Sequence, residues 1–292
     1  MRWCFNQITA GRQAPADPGR DLAAIRQGGW QAIELWLRHW DGYIERHGLP
    51  AARRQLDQAG LPAAGACAQA DLFFSIDDDR QRAWDGLRRR LEQCQALGAT
   101  HLVITPGAPR PAPGQAPRRP VVADLDPAAE HLRAAGDLAA GYAVRLGIEF
   151  LKMSWFVNNL PTALVLARKV DHPNVGVVVD TFHLYAGLSK VEDLDLLAPD
   201  PGGLSFVHAN DVPATTPREL LTDPDRVLPG EGDFPLGAIF ERMQRLGYQG
   251  YVSLELFNEA FAARWSEDPL AASRLAYERA TGVLPDAPSA GG

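Results

Sequence analysis

The sequence contains little cysteine and no long apolar run. Its 292 residues include three cysteines, Cys4, Cys67 and Cys94, and these form neither a Cys-x-x-Cys pair nor a disulfide framework. A reducing compartment is therefore expected. No window reaches the roughly 18 apolar residues of a membrane span, and the first residues lack the apolar stretch of a signal peptide. We expect a cytoplasmic protein with no membrane partner.

Basic charge is also scarce. The 29 lysines and arginines face 36 acidic residues, which gives a formal net charge of −7. This sign opposes long-range attraction to a phosphate backbone, so nucleic acid is not an expected partner. The same charge disfavours a DNA-cleaving enzyme. Apolar residues are plentiful at 46%, enough for a sizeable core and unlike a disordered chain.

Short apolar runs alternate with longer amphipathic stretches, which is typical of βα units with a parallel sheet. Helix-ending glycines precede several of the runs, at Gly29, Gly60, Gly98 and Gly250. The pattern predicts one α/β domain over residues 1–282, a (β/α)8 TIM barrel, although an open doubly wound sheet has the same periodicity. The eight strand candidates begin at Arg2, Ala32, Leu61, His101, Arg145, Val175, Leu204 and Tyr251.

The segments between the strands differ in quality. The clearest helix is predicted over residues 79–97, where apolar residues recur at spacings of three and four. Residues 106–127 are rich in proline and predict a long loop after the fourth strand, which serves either as a lid or as a plain surface insertion. Residues 283–292 are expected to form a flexible tail.

Polar residues stand at the ends of the last four strand candidates: Glu149, Asp180, His208 and Glu255. Any one acid, taken alone, is better explained as a helix cap or a rim ion-pair partner. Four in register on consecutive strands change that, because a barrel brings strand ends together around one rim. Three carboxylates and an imidazole predict a site for one divalent metal ion, with Mn²⁺ favoured and Mg²⁺, Co²⁺ or Zn²⁺ as alternatives.

Three further side chains lie near these strand ends. His183 follows Asp180 by three residues, and its spacing fits a substrate contact and a packed histidine equally. Arg226 lies in a long, turn-rich loop, where an isolated arginine is expected to be solvated. Lys152 follows the fifth strand and allows a Schiff-base aldolase, a reaction we do not expect.

The C-terminal half resembles the sugar isomerase/epimerase family with the xylose-isomerase-like barrel, most closely its inosose isomerase branch. The segments that carry the resemblance are GIEFL, WFVNNLPTALVLARKVDHPNVGVVVDTFH, VHANDVPATTPRELLTDPDRVLPGEGDFPL and YVSLELF. The N-terminal half matches mainly through AIELW. The Pro-rich insertion, Lys152 and Trp155 do not map onto the family pattern.

The resemblance implies roles for individual residues. It implies one divalent metal held by Glu149, Asp180, His208 and Glu255, with Glu149 and Glu255 taking and returning a substrate proton. It further implies that His183 and Arg226 bind the substrate. Glu34 and Asn158 fall at positions that support the rim by hydrogen bonding.

The implied activity is that of a divalent-metal-dependent isomerase or epimerase of a keto-sugar or inosose, acting through proton abstraction and a metal-bound cis-enediolate. A lyase on the same barrel, similar to a dehydroshikimate dehydratase or a C-glycoside deglycosidase, shares the first step and is the alternative. A non-catalytic scaffold is disfavoured because all four ligands are present. The expected partner is a small polyhydroxy ketone, and a homo-oligomer is left open.

Overall fold

The computed structural model describes residues 1–13, 15, 18–69, 77–106, 125–154, 156–197 and 203–284. Eight parallel strands form a closed barrel in chain order, so the predicted (β/α)8 barrel is confirmed and the open sheet is wrong. Each strand begins within two residues of its predicted start. The strands are β1 Arg2–Asn6, β2 Ile33–Trp36, β3 Ala63–Gln69, β4 His101–Ile104, β5 Arg145–Glu149, β6 Val175–Asp180, β7 Leu204–Ala209 and β8 Tyr251–Leu254.

Helices follow the strands along the chain and cover the barrel with their apolar faces. Among the described residues, none is long and apolar enough to cross a membrane. The helices are α1 Pro18–Gln27, α2 Leu37–His47, α3 Leu49–Ala59, α4 Asp77–Leu97, α5 Leu125–Ala140, α6 Leu160–Val170, α7 Thr181–Ala186, α8 Leu236–Arg245, α9 Glu259–Glu267 and α10 Pro269–Thr281.

The barrel closes between its first and last strands. Trp3 of β1 pairs in register with Val252 of β8. Beyond the strand ends, the Thr9 hydroxyl donates to the Leu254 carbonyl at 2.9 Å and accepts from the Leu256 amide at 3.0 Å. These bonds join the segment after β1 to the end of β8. The carboxyl ends of the first and last strands therefore lie side by side.

Phe206 fills the interior of the barrel below the strand ends. Its ring is buried among small residues, and a Cβ added at Gly65 would come within 3.2 Å of it. Glycine at that position therefore leaves room for the ring. His208 lies two residues further along β7 on the same side, and its ring meets Phe206 edge-on at 5.9 Å. Phe206 thus forms an apolar floor beneath the polar residues. The small residues around it are Cys4, Ala32, Ala64, Cys67, Val103 and Val178.

Two predicted boundaries differ from the structure. Helix α5 begins at Leu125, inside the predicted loop, because Pro127 lies in its first turn, where a missing amide hydrogen costs no hydrogen bond. The helix before β8 is followed by Gly247, with φ of 82°, rather than ended by Gly250. Residues 107–124 of the predicted loop and 285–292 of the predicted tail lie outside the described residues.

Phe206→Ala should destabilise the protein by about 3–5 kcal/mol, because it removes a buried ring and leaves a cavity that the rigid barrel cannot close. Denaturant unfolding measures this free energy. Leu220→Ala is the matched control, since Leu220 is 68% exposed and its truncation should change stability by less than about 0.5 kcal/mol. Equal effects of the two substitutions would contradict the proposed floor.

Candidate active site

Six polar side chains meet at the carboxyl ends of the strands. Because successive residues of a strand alternate in direction, polar residues at the strand ends can point inwards together. In the β6–β7 register Asp180 pairs with His208, and in the β1–β2 register Asn6 pairs with Glu34. Strand register therefore builds the site. The six side chains, all buried, are Asn6, Glu34, Glu149, Asp180, His208 and Glu255.

Four of them form a compact cluster with the composition of a metal site. Ligand atoms of Glu149, Asp180, His208 and Glu255 all lie within 4.8 Å of one another. His208 Nδ1 is at the centre, 2.8 Å from Glu149 Oε1, 3.4 Å from Glu255 Oε2 and 3.9 Å from Asp180 Oδ2. The structure thus brings together the four residues that the strand ends predicted.

The two proton-transfer candidates have different surroundings. Burial raises the pKa of Glu149 to about 7, and the Glu255 and Asp180 carboxylates add to the shift, while His208 opposes it. Glu255 Oε1 accepts from Asn6 Nδ2 at 3.1 Å, and Oε2 accepts from Arg226 Nη1 at 2.8 Å. Glu149 therefore changes protonation state near neutral pH, whereas Glu255 has a hydrogen-bond donor on each oxygen.

Neighbouring opposite charges keep the other two members of the cluster, Asp180 and His208, ionised. Burial works against ionisation of Asp180, but Arg226 and His208 outweigh it and hold the pKa of this carboxyl below its usual value. Burial would lower the pKa of His208, yet Glu255, Glu34 and Glu149 hold it well above its usual value. Asp180 also caps α7 by accepting from the His183 amide at 3.1 Å. Asp180 is thus a helix cap as well as a member of the cluster.

Arg226 is buried in the site, which overturns the solvated side chain expected from its loop. Its exposed fraction is 1%. Nη1 donates to Asp180 Oδ2 and to Glu255 Oε2, both at 2.8 Å, and Nη2 donates to Asp223 Oδ1 at 2.7 Å. The guanidinium carbon lies 5.0 Å from the centre of the half-buried Phe257 ring. Buried carboxylates require such a counter-charge, and this requirement outweighs the hydration of the arginine.

Asp211 folds the loop that carries Arg226. Its carboxylate accepts from the amides of Gly230, Gly232 and Phe234 at 3.0, 3.2 and 3.0 Å. Its backbone forms an isolated antiparallel bridge with Val227, the neighbour of Arg226. The sequence shows Asp211 as a polar residue just after β7. It does not show the role of Asp211, because the amides that bind its carboxylate lie up to 23 residues away.

His183 lies beside Arg226. Its Nε2 is 3.2 Å from Arg226 Nη2, and its Nδ1 accepts from the Lys152 amide at 3.3 Å. Burial lowers the pKa of His183 to about 4, so the ring is neutral at pH 7. A neutral imidazole at the edge of the cluster can hydrogen-bond a hydroxyl without adding charge.

The remaining sequence candidates have structural contacts. Lys152 Nζ donates to the carbonyls of Arg218, Glu219 and Leu221 at 3.3, 2.9 and 2.5 Å, which uses its three hydrogens and gives no support to the Schiff-base aldolase. Asn158 accepts from Asn159 Nδ2 at 2.8 Å, a structural bond of the kind that the resemblance implied. Trp155 lies outside the described residues.

Glu34, which the resemblance gave a supporting role, lies below His208, and the sequence analysis missed its partners Asn6 and Cys67. Glu34 Oε1 lies 3.1 Å from His208 Nε2 and accepts from the Cys67 thiol at 2.7 Å. Burial opposes ionisation of Glu34, but His208 and the hydrogen bonds lower its pKa below the usual value. Asn6 ends β1 as Glu149 ends β5, so the same strand-end pattern identifies it.

Glu34, Cys67 and His208 also have the residue types of a metal site. Burial and the nearby Glu34 carboxylate raise the pKa of the Cys67 thiol well above its usual value. The Cys67 thiol donates to Glu34 Oε1 at 2.7 Å. The three side chains thus form one hydrogen-bonded group below the four-residue cluster.

The donor set of the four-residue cluster fits a divalent cation. Its oxygens and single nitrogen suit Mn²⁺, Mg²⁺, Co²⁺ and Zn²⁺, and it has no thiolate. Three buried carboxylates within 4.8 Å of one another repel each other unless a cation or a proton intervenes. The residue types and the geometry of the cluster are therefore compatible with a divalent cation.

Comparisons with known proteins identify the family of the chain. A family model described as xylose isomerase-like TIM barrel matches residues 22–279. The inosose isomerase of Bacillus velezensis is 25% identical over 95% of this chain and 96% of its own length. That of Halalkalibacterium halodurans is 30% identical over 92% of this chain and 93% of its own. The 3-dehydroshikimate dehydratase of Pseudomonas putida is 29% identical over 83% of this chain, which spans 36% of that protein.

The fold also matches solved structures. A crystal structure described as the IolI protein with a bound zinc atom superposes with a TM-score of 0.84. The match covers 97% of this chain and 98% of the other, at 23% identity. At that identity the likeness establishes the fold.

Glu149→Gln should stabilise the metal-free protein at alkaline pH. Because the folded pKa of Glu149 is raised from 4.5 to about 7, its contribution to stability is present below pH 4.5 and is lost as the pH rises through 7. Removing this titration should add about 1–3 kcal/mol to the free energy of unfolding at pH 8 and little at pH 5.

Denaturant unfolding in the presence of a chelator, at pH 5 and pH 8, measures the difference. Glu241→Gln is the control, because Glu241 lies exposed on α8 and should leave the pH profile unchanged. A Glu149→Gln profile that parallels the wild type would show that burial of this carboxyl has no energetic cost.

Proposed function

The chain belongs to the xylose isomerase-like TIM barrel family and is a sugar isomerase or epimerase, and on that premise we propose that it acts on a keto-sugar or inosose with one divalent metal ion. The observation that carries the proposal is the buried cluster of three carboxylates and one imidazole at the strand ends. The inosose isomerases among its relatives favour a cyclic polyhydroxy ketone.

The metal would be held by Glu149, Asp180, His208 and Glu255. When bound, a divalent cation supplies Lewis acidity that makes the C–H between a carbonyl and a hydroxyl easier to deprotonate. We propose Mn²⁺ from the oxygen-rich donor set, and the zinc in the IolI structure keeps Zn²⁺ as the strongest alternative.

Glu149 and Glu255 are proposed to move the proton, one taking it from the substrate carbon and the other returning it. A carboxylate can hold a metal through one oxygen and exchange a proton with the substrate carbon through the other. In the buried strand ends, a cation or a hydrogen-bond donor stabilises developing negative charge more strongly than it would in water.

Arg226 and His183 are proposed to bind the substrate. The half-buried Phe257 ring, next to the Arg226 guanidinium, gives the mouth an apolar surface for the C–H face of a sugar or inosose. The neutral His183 ring lies 3.2 Å from Arg226 and presents a hydrogen-bonding edge for a hydroxyl. Together they orient the hydroxy ketone.

A lyase is the second candidate, favoured by the similarity to the 3-dehydroshikimate dehydratase of Pseudomonas putida. Both reactions begin with removal of a proton next to a carbonyl, so the site chemistry is shared. Mass spectrometry of the product separates them, because isomerisation conserves the substrate mass and dehydration removes one water.

Glu149→Gln and Glu255→Gln should each slow exchange of the substrate α-proton with deuterated water by at least about 100-fold, because each removes an acid–base group. Proton NMR of inososes and keto-sugars in deuterated water measures the exchange. Glu241→Gln, on the exposed face of α8, should exchange as the wild type does. Wild-type exchange in both active-site variants would refute the assignment.

Chelation should abolish this exchange, and one or more of Mn²⁺, Mg²⁺, Co²⁺ and Zn²⁺, added singly, should restore it, because the carboxylate cluster needs a cation to act on a carbonyl. The same NMR screen gives the substrate and the metal preference together. Asp180→Asn is the matched variant. At equal concentration, each added cation should restore less proton exchange in this variant than in the wild type. Full exchange in exhaustively chelated protein would exclude metal dependence.

A further inference from the structure

Glu34 is a buried carboxylate whose two oxygens are surrounded by hydrogen-bonding groups. Oε1 accepts from the Cys67 thiol at 2.7 Å and faces His208 Nε2 at 3.1 Å. Oε2 accepts from Asn6 Nδ2 at 2.9 Å and from the Ser253 hydroxyl. A carboxylate has about four acceptor positions, and these contacts use them all. The carboxylate is therefore fixed in rotation.

Asn6 fixes the direction of its own bond to Glu34. Its Oδ1 accepts from the Ile8 amide at 3.1 Å, so its Nδ2 is the donor. That nitrogen donates to Glu34 Oε2 at 2.9 Å and to Glu255 Oε1 at 3.1 Å. The Cys67 thiol and the Ser253 hydroxyl each have a hydrogen to donate to Glu34 as well.

This environment decides which nitrogen of His208 carries a proton. An ionised carboxylate only accepts hydrogen bonds, so His208 Nε2 must be protonated to face Glu34 at 3.1 Å. Nδ1 points to the opposite side, towards Glu149 at 2.8 Å and Glu255 at 3.4 Å. Nδ1 is thus the nitrogen that can give up its proton to a cation.

We propose that Glu34 is a positioning residue for the cluster: it keeps His208 protonated on Nε2 and so directs Nδ1 at Glu149, Asp180 and Glu255. A carboxylate behind a histidine ligand fixes its orientation and increases its basicity, and loss of such a partner typically weakens metal binding about 10–100-fold. The proposal rests on the metal site of the proposed function, but it needs neither the substrate nor the reaction.

If Glu34 only stabilised the barrel, the loss of any of its contacts would have the same kind of effect. The Glu34 contacts join β1, β2, β3, β7 and β8, and their loss would reduce stability wherever they are cut. The Glu34–His208 contact reaches a proposed metal ligand directly, and Asn6 links Glu34 to Glu255, whereas the Ser253 contact reaches neither. Variants that cut different bonds of Glu34 therefore separate the two roles.

The test measures the affinity of the purified protein for Co²⁺ by titration of its visible absorption, in Glu34→Gln and in Ser253→Ala. Glu34→Gln keeps the volume but removes the charge, so its Co²⁺ affinity should fall about 10–100-fold and its spectrum should change. Ser253→Ala cuts one bond to Glu34 and leaves the His208 contact, so it should bind Co²⁺ close to wild type. Wild-type affinity and spectrum in folded Glu34→Gln would overturn the proposal.

A second measurement needs no Glu34 variant. Long-range ¹H–¹⁵N NMR of the zinc-loaded wild type should show a histidine signal with a protonated Nε2 and an unprotonated Nδ1 that is absent from His208→Asn. An unprotonated Nε2 on His208 would overturn the proposal. If the wild type binds no cation, the metal site of the proposed function fails, whereas wild-type binding that Glu34→Gln does not weaken overturns the role of Glu34 alone.

Discussion

A buried carboxylate must find a donor or a cation for its oxygens, and this requirement organises the whole rim of the barrel. Four buried acids lie on strands or directly after them here, and the cationic groups closest to them are Arg226 and His208. Ionised acids without partners would cost several kcal/mol each. The long loop after β7 is therefore more than a connection, because it delivers the arginine that makes such a concentration of acids compatible with a folded barrel.

The partners are distributed unequally, and the inequality has chemical consequences. Asp180 accepts from Arg226 and from the first turn of α7, whereas among the described residues the Glu149 carboxyl is hydrogen-bonded to His208 alone. The pKa of Asp180 is accordingly lowered, and the pKa of Glu149 is raised to about 7. A group kept near its titration point costs stability in the folded state, and acid–base catalysis makes use of such a group.

Sequence reasoning reached the residues whose position depends on strand ends alone. Strand periodicity and closure are local and repetitive, so eight runs and four terminal polar residues were enough to place the cluster. The burial of Arg226 could not be predicted this way, because it depends on amides up to 23 residues from Asp211 that fold the loop. The contacts of Glu34 depend on the register between β2, β7 and β8, which periodicity leaves undetermined. Helix α5 begins before the end of the predicted loop, because Pro127 is compatible with the first turn of a helix.

Asn6 connects the two layers of the site. One amide nitrogen binds both Glu34, behind His208, and Glu255, in the cluster. A change at either carboxylate therefore alters the donor available to the other, in an interior where hydrogen-bonded groups polarise one another. Substitutions at Glu34 and Glu255 share a partner and lie in one network, so their effects are not expected to add. The rim acts as one electrostatic unit in which the position of the imidazole and the charge of the acids are set together.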